Sequence, residues 1–136
     1  MRRTADRHRP AYVGRVSVPA RRGDPARATA ELPESHRDLL ERPTFAHLAT
    51  VRPDGAPQSS VMWFEWDGSR LRFTHTKTRQ KFANLAREPR VALSIADPDD
   101  PYRVLEVRGR VESIDDDEKA SFYRSLQERY GDVYDI

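Results

Sequence analysis

The chemistry in this sequence gathers on one short stretch, Thr76-Lys77-Thr78-Arg79-Gln80-Lys81-Phe82-Ala83-Asn84-Leu85. Phe82, Leu85 and Ala86 share one face at helical spacing, and Pro89 ends the run. A helix is therefore expected over Thr78–Arg87, with Thr78 as its N-cap. Its first turn then carries Arg79 and Lys81, with Lys77 just before. The start of a helix is positive and prefers acids, by about 0.3–1 kcal/mol per charge. Cations placed there, beside free backbone N–H groups, suit an anion. A phosphate would collect backbone donors, the Thr78 hydroxyl and two side-chain cations at once. On spacing alone, a solvated basic helix face is the stronger reading, because Lys and Arg are good helix formers and common on surfaces.

The preceding strands sharpen the phosphate reading. Gln58-Ser59-Ser60-Val61-Met62-Trp63 sets small hydroxyls and large apolar side chains at adjacent positions. A planar tricyclic ring needs that mix, an apolar wall with polar partners for its edge. Thr74 and Thr76, on the outward face of the next strand, lead into the turn that would hold phosphate. The plain alternative is that Met62, Trp63 and Phe64 are core.

Other constellations are weaker. His8, His36, His47 and His75 lack metal-ligand spacing. His47 and His75 read as core or edge residues of strands. Asp115-Asp116-Asp117-Glu118 lacks the alternating ligands and central glycine of a calcium loop, and reads as a helix start. No nucleophile elbow or glycine-rich phosphate loop is present. With no cysteine, thiolate catalysis and disulfides are excluded.

The elements that must position these residues follow from pattern. Pro33 and Glu34 open a helix whose apolar face is Leu39 and Leu40, and Pro43 stops it. Thr44–Arg52 alternates as a strand up to the turn Pro53-Asp54-Gly55. Gln58–Trp66 reads as one long strand, Asp67-Gly68 as a hairpin turn and Arg70–Thr76 as its return. These three strands are expected to form a meander. After the helix come a strand at Arg90–Ala96 and a long strand at Tyr102–Ile114. In the latter, Leu105, Val107, Gly109 and Val111 face inward, and Gly109 marks a bulge or barrel bend. A last amphipathic helix carries Phe122, Tyr123, Leu126 and Tyr130, with Gly131 as cap. The order α-β-β-β-α-β-β-α, mainly antiparallel β with flanking helices, favours a small barrel.

Composition sets the outer bounds. The 136 residues suit one domain. Residues 1–30 hold eight of the 24 basic side chains against two aspartates, which leaves 16 basic and 20 acidic residues over 31–136. The first segment, rich in Arg and Pro and without sustained period, is expected to be disordered, and the domain to span 31–136. An acidic domain argues against nucleic acid as partner. No apolar run approaches a membrane span or a signal peptide, so a soluble, cytoplasmic protein is expected.

The pattern TFAHLATVRPDGAPQSSVMWFEWDGSRLRFTHTKTRQKFANLAREPRVALSI resembles the pyridoxamine-phosphate-oxidase-like split-barrel flavoproteins. It looks closest to the branch that uses the deazaflavin coenzyme F-420. LATVRPDGAPQ, the strand with VMW, and R-x-K-x-x-N-L-x-x-x-P-R-V carry the resemblance. It implies an FMN-binding-protein-like split barrel. It also implies that Arg79 and Lys81 grip the cofactor phosphate, with Asn84 in the same motif. Ser60, Val61, Met62, Trp63, Thr74 and Thr76 would line the ring. The oxidase proper has Ser-Arg-Lys where this chain has Arg79-Gln80-Lys81, and a basic residue where it has Ser59 or Ser60. Those departures favour F-420 over FMN. The resemblance further implies a homodimer with cofactor at the interface, and hydride transfer without a catalytic side chain. The substrate would be a small electron-poor acceptor. An FMN-dependent oxidoreductase and a non-catalytic cofactor carrier are the alternatives. Members continue past the last helix with one more strand, so a barrel short of that strand is expected.

Overall fold

A computed structural model of the chain describes residues 11–17, 32–76, 80–117 and 119–131, with backbone alone at Ala11, His75 and Thr76. The strands are β1 (Ala11–Ser17), β2 (Ala46–Val51), β3 (Pro57–Met62), β4 (Glu65–Trp66), β5 (Leu71–Thr76), β6 (Arg90–Asp97) and β7 (Asp100–Asp116). A 3-10 turn at Glu34–His36 precedes the short α1 (Asp38–Glu41); α2 (Gln80–Arg87) and α3 (Ser121–Gly131) follow later. All pairings are antiparallel, in one sheet ordered β3-β2-β6-β7-β1-β5-β4.

Period-2 alternation builds this sheet. Ala46 and Leu48 of β2, Val91, Leu93 and Ile95 of β6, and Leu105 and Val107 of β7 are buried on the inner face. His47, Ser94 and Glu106 form an exposed row on the other face, because each stands opposite the next in register. Burying each large apolar side chain contributes roughly 1.5–3 kcal/mol.

Two expectations are corrected. Residues 1–30 are not disordered throughout. β1 lies inside the sheet between β5 and β7, with Tyr12 and Val16 fully buried. Its period-2 series, Tyr12-Gly14-Val16, is short and flanked by arginines, which hid it. Arg15 pairs with Asp115, so one arginine of the supposed tail belongs to the fold. Residues 1–10 and 18–31 lie outside the described residues.

Gln58–Trp66 is likewise not one strand, and the meander does not form. β3 pairs with β2 alone, at one edge of the sheet, while β4 pairs with β5 at the other edge. Only Trp63 and Phe64 join these two edges, so the sheet must curl until its edges adjoin. The result is a barrel split along one seam.

The C-terminal helix α3 stitches that seam. The Tyr130 hydroxyl donates to the Thr44 carbonyl at 2.6 Å and accepts from the Phe64 N–H at 3.0 Å. The Arg129 guanidinium donates to the carbonyls of Arg42 at 2.7 Å and Phe64 at 3.2 Å. These bonds satisfy backbone groups that a broken strand leaves unpaired. The acidic run does not start this helix as expected. Asp115 and Asp116 end β7, paired with β1, and α3 begins at Ser121. Of the run's described residues only Asp117 serves it, its carboxylate accepting from the Phe122 and Tyr123 N–H groups at 3.3 and 3.1 Å.

Gly109 is explained by close approach. A Cβ there would stand 2.2 Å from the Ser17 carbonyl oxygen, where β1 crosses β7 beside the bulge at Arg15/Val16.

Candidate functional site

α2 is amphipathic in two senses. Leu85 turns inward and is buried, and the half-buried Phe82 ring packs 5.0 Å from the Tyr12 ring. A second stripe, Gln80, Asn84 and Arg87, is polar and faces the β2–β3 hairpin. The Asn84 Nδ2 donates to Thr50 Oγ1 at 3.0 Å and to Gln58 Oε1 at 3.1 Å, and its Oδ1 accepts from Gln80 Nε2 at 2.9 Å. The Arg87 guanidinium donates to the carbonyls of Val51 and Arg52 at 2.9 and 2.6 Å. The first turn contains no acid.

Lys81 lies in that first turn. It is 4% exposed and already engaged. Asn84 is completely buried, and its amide is consumed by the three bonds above. Its part in the site is to hold α2. Thr78 and Arg79 lie outside the described residues.

The strand residues divide between the faces of the sheet. Ser60 and Met62 point inward, opposite Leu48 and Ala46, and Met62 is core. Val61 points outward opposite His47 and is 57% exposed. Period-2 geometry forces this split, since neighbours on a strand face opposite ways. From outside, β3 therefore offers a ring Val61 and main chain, while Ser60 and Met62 support from within. The half-buried Trp63 ring stacks on Tyr130 at 5.0 Å and 11°, so one face of its indole is taken by α3. The Thr74 hydroxyl donates to the Tyr12 carbonyl at 2.7 Å. Thr76 ends β5 opposite Ala11; its side chain lies outside what is described.

Sequence reasoning missed Thr50, Gln58 and Tyr12. The alternation of β3 puts Gln58 on the face of Ser60, a signal that was legible. Tyr12 sat in a segment set aside because it is rich in Arg and Pro and lacks a sustained period. Its hydroxyl is buried and has no hydrogen-bond partner among the described residues. Burial pushes its pKa above the ordinary phenol value.

An open cleft of about 470 Å³ is lined by Ala49, Thr50, Val51, Pro57, Ala92 and Gly109, with Arg90 and Arg108 among its walls. Both arginines are paired, to Glu88 and Glu106. The cleft includes none of the residues expected to bind a cofactor, so the chemistry of α2 outweighs its volume. Among the described residues no cluster of His, Asp or Glu could hold a metal. No helix among them is long and apolar enough to cross a membrane.

The model of the family described as pyridoxamine 5'-phosphate oxidase matches residues 32–135. The chain belongs to the pyridoxamine 5'-phosphate oxidase family. Among solved structures, it is similar to an F-420 reductase, with 58% identity and a TM-score of 0.71. That match covers 73% of this chain and 79% of the other. It is also similar to the conserved hypothetical protein Rv2991 from Mycobacterium tuberculosis, with 27% identity and a TM-score of 0.55, over 79% of this chain and 70% of that one. No curated protein matches. The flavin-type cofactors of the family carry a phosphate, and the donor set of α2 fits one. Its first turn holds backbone N–H groups and Lys81 without an acid, and the Tyr12 hydroxyl, which has no partner among the described residues, belongs to the ring packed on that turn.

Proposed function

We propose that this member of the family is an F-420-dependent oxidoreductase acting on a small, electron-poor organic acceptor. The observation that carries this reading is α2, whose first turn bears Lys81 and no acid and whose second turn is bonded through Asn84 to the hairpin beneath. The likeness to an F-420 reductase favours deazaflavin over FMN.

When bound, the reduced deazaflavin supplies a hydride to the acceptor. Lys81 and Arg79, cations two positions apart in the sequence, hold the phosphate. Asn84 fixes that turn. Val61 and the β3 main chain orient the ring from outside, with Ser60 and Met62 behind them. Thr74, Thr76 and Trp63 border the approach from β5 and the seam. No side chain is asked to act as nucleophile; the residues bind and orient. The functional unit is a homodimer with cofactor between subunits, which light scattering on the purified protein tests.

Fluorescence titration with F-420 and, separately, FMN tests the cofactor. Binding of F-420 at micromolar concentration, tighter than FMN, is the expected outcome; binding of neither ends the proposal. The Arg79→Ala/Lys81→Ala double variant is expected to weaken F-420 by at least about tenfold, since charge-assisted bonds contribute roughly 1.5–3 kcal/mol each. Wild-type affinity in that variant would remove the phosphate assignment.

A further inference from the structure

The polar stripe of α2 settles where its first turn can stand. Apolar contacts such as Phe82 on Tyr12 are non-directional and would tolerate a slide or rotation of the helix. The Asn84 amide does not. It is completely buried, so each of its polar atoms needs a partner. Its two N–H hydrogens go to two acceptors on adjacent strands, Thr50 Oγ1 on β2 and Gln58 Oε1 on β3. Thr50 and Gln58 stand directly opposite each other in register, so the two acceptors form a fixed pair. The Asn84 oxygen is filled by Gln80 from the preceding turn. Arg87 fixes the far end of the helix to the carbonyls of Val51 and Arg52 in the same hairpin. Sliding α2 by even part of a turn would strand a buried amide.

We infer that Gln58 and Thr50 are positioning residues for the cofactor phosphate, acting through Asn84 to hold the first turn of α2 at a set place over the β2–β3 hairpin. The inference rests on the phosphate reading above. It makes hairpin and helix one rigid unit, in which β3 supports the ring and α2 holds the phosphate. The spacing between the two ends of the cofactor is then built into the apoprotein. A displacement of an ångström at such a clamp is enough to cost affinity.

The test uses the full chain and two ligands, F-420 and the same deazaflavin lacking its phosphate. The quantity read is the ratio of the two Kd values, with melting temperature measured alongside. In Gln58→Leu, which removes an acceptor, and in Thr50→Val, the preference for the phosphate-bearing ligand is expected to fall by about tenfold, the size of coupling between residues in contact. Thr50→Ser keeps the hydroxyl acceptor for Asn84 without adding charge and should retain the preference. A loss of stability alone would weaken both ligands together, so an unchanged ratio overturns the inference whatever the melting temperature does. If the unaltered protein binds both ligands equally, or neither, the phosphate reading falls first and this inference with it.

Discussion

At the scale of single residues, burial decides what each polar group can still do. Asn84 belongs to a motif that reads as cofactor-binding, yet its amide is spent inside the protein on Thr50, Gln58 and Gln80. Thr74 is similar, its hydroxyl given to the Tyr12 carbonyl. Tyr12 is the opposite case, a buried hydroxyl with no partner among the described residues. An unmade hydrogen bond at a buried group costs roughly 1–3 kcal/mol. Tyr12→Phe is therefore expected to raise the stability of the ligand-free protein, by about 1 kcal/mol in urea unfolding. A clear loss would mean that the hydroxyl has an unseen partner such as an ordered water.

Among the elements, the strands are set by alternation and the helices by what they cover. The inward series of β6 and β7 was plain in the sequence, because Val91, Leu93 and Ile95 alternate with polar neighbours, as do Leu105 and Val107. α2 was legible for the same reason at helical period. The break between β3 and β4 was not, since Val61-Met62-Trp63-Phe64 reads as unbroken β-former sequence. Only pairing with opposite edges of the sheet, and the bonds of Tyr130 and Arg129 to the freed backbone, reveals it. Gly109 marks the matching constraint on β7. Gly109→Ala would drive a Cβ against the Ser17 carbonyl, backbone that cannot yield without parting β1 from β7. The expected loss is about 1–3 kcal/mol in denaturant unfolding, the usual cost of overpacking.

For the whole molecule, the hairpin of β6 and β7 is tied to α1 by charge. The Arg103 guanidinium reaches both Asp38 oxygens at 2.9 and 2.5 Å and Asp97 at 3.0 Å. The hydrogen bond from Arg103 holds the Asp38 carboxyl at about 2, below its ordinary 3.8. A depressed acid pKa adds stability that is fully present above the unfolded value and is lost as pH falls through the folded one. The melting temperature should therefore hold steady above about pH 4 and decline towards pH 2, where Asp38 takes up its proton. Arg103→Met should remove much of that decline while lowering the melting temperature at neutral pH. An unaltered acid profile in the variant would show that the pair contributes nothing.

The sequence by itself determined the family, the mainly antiparallel β character and the helix α2 with its cationic first turn. All of these are local, written in residue types at period 2 or 3.6 and in a short motif. Tertiary structure decided the rest. It drew β1 out of an arginine-rich segment into the middle of the sheet and split one apparent strand between two edges. It also joined Asn84 to Gln58 and Thr50, residues 26 and 34 positions away. Hydrogen bonds and strand register of that kind join distant parts of the chain, and no periodicity within a segment encodes its partner.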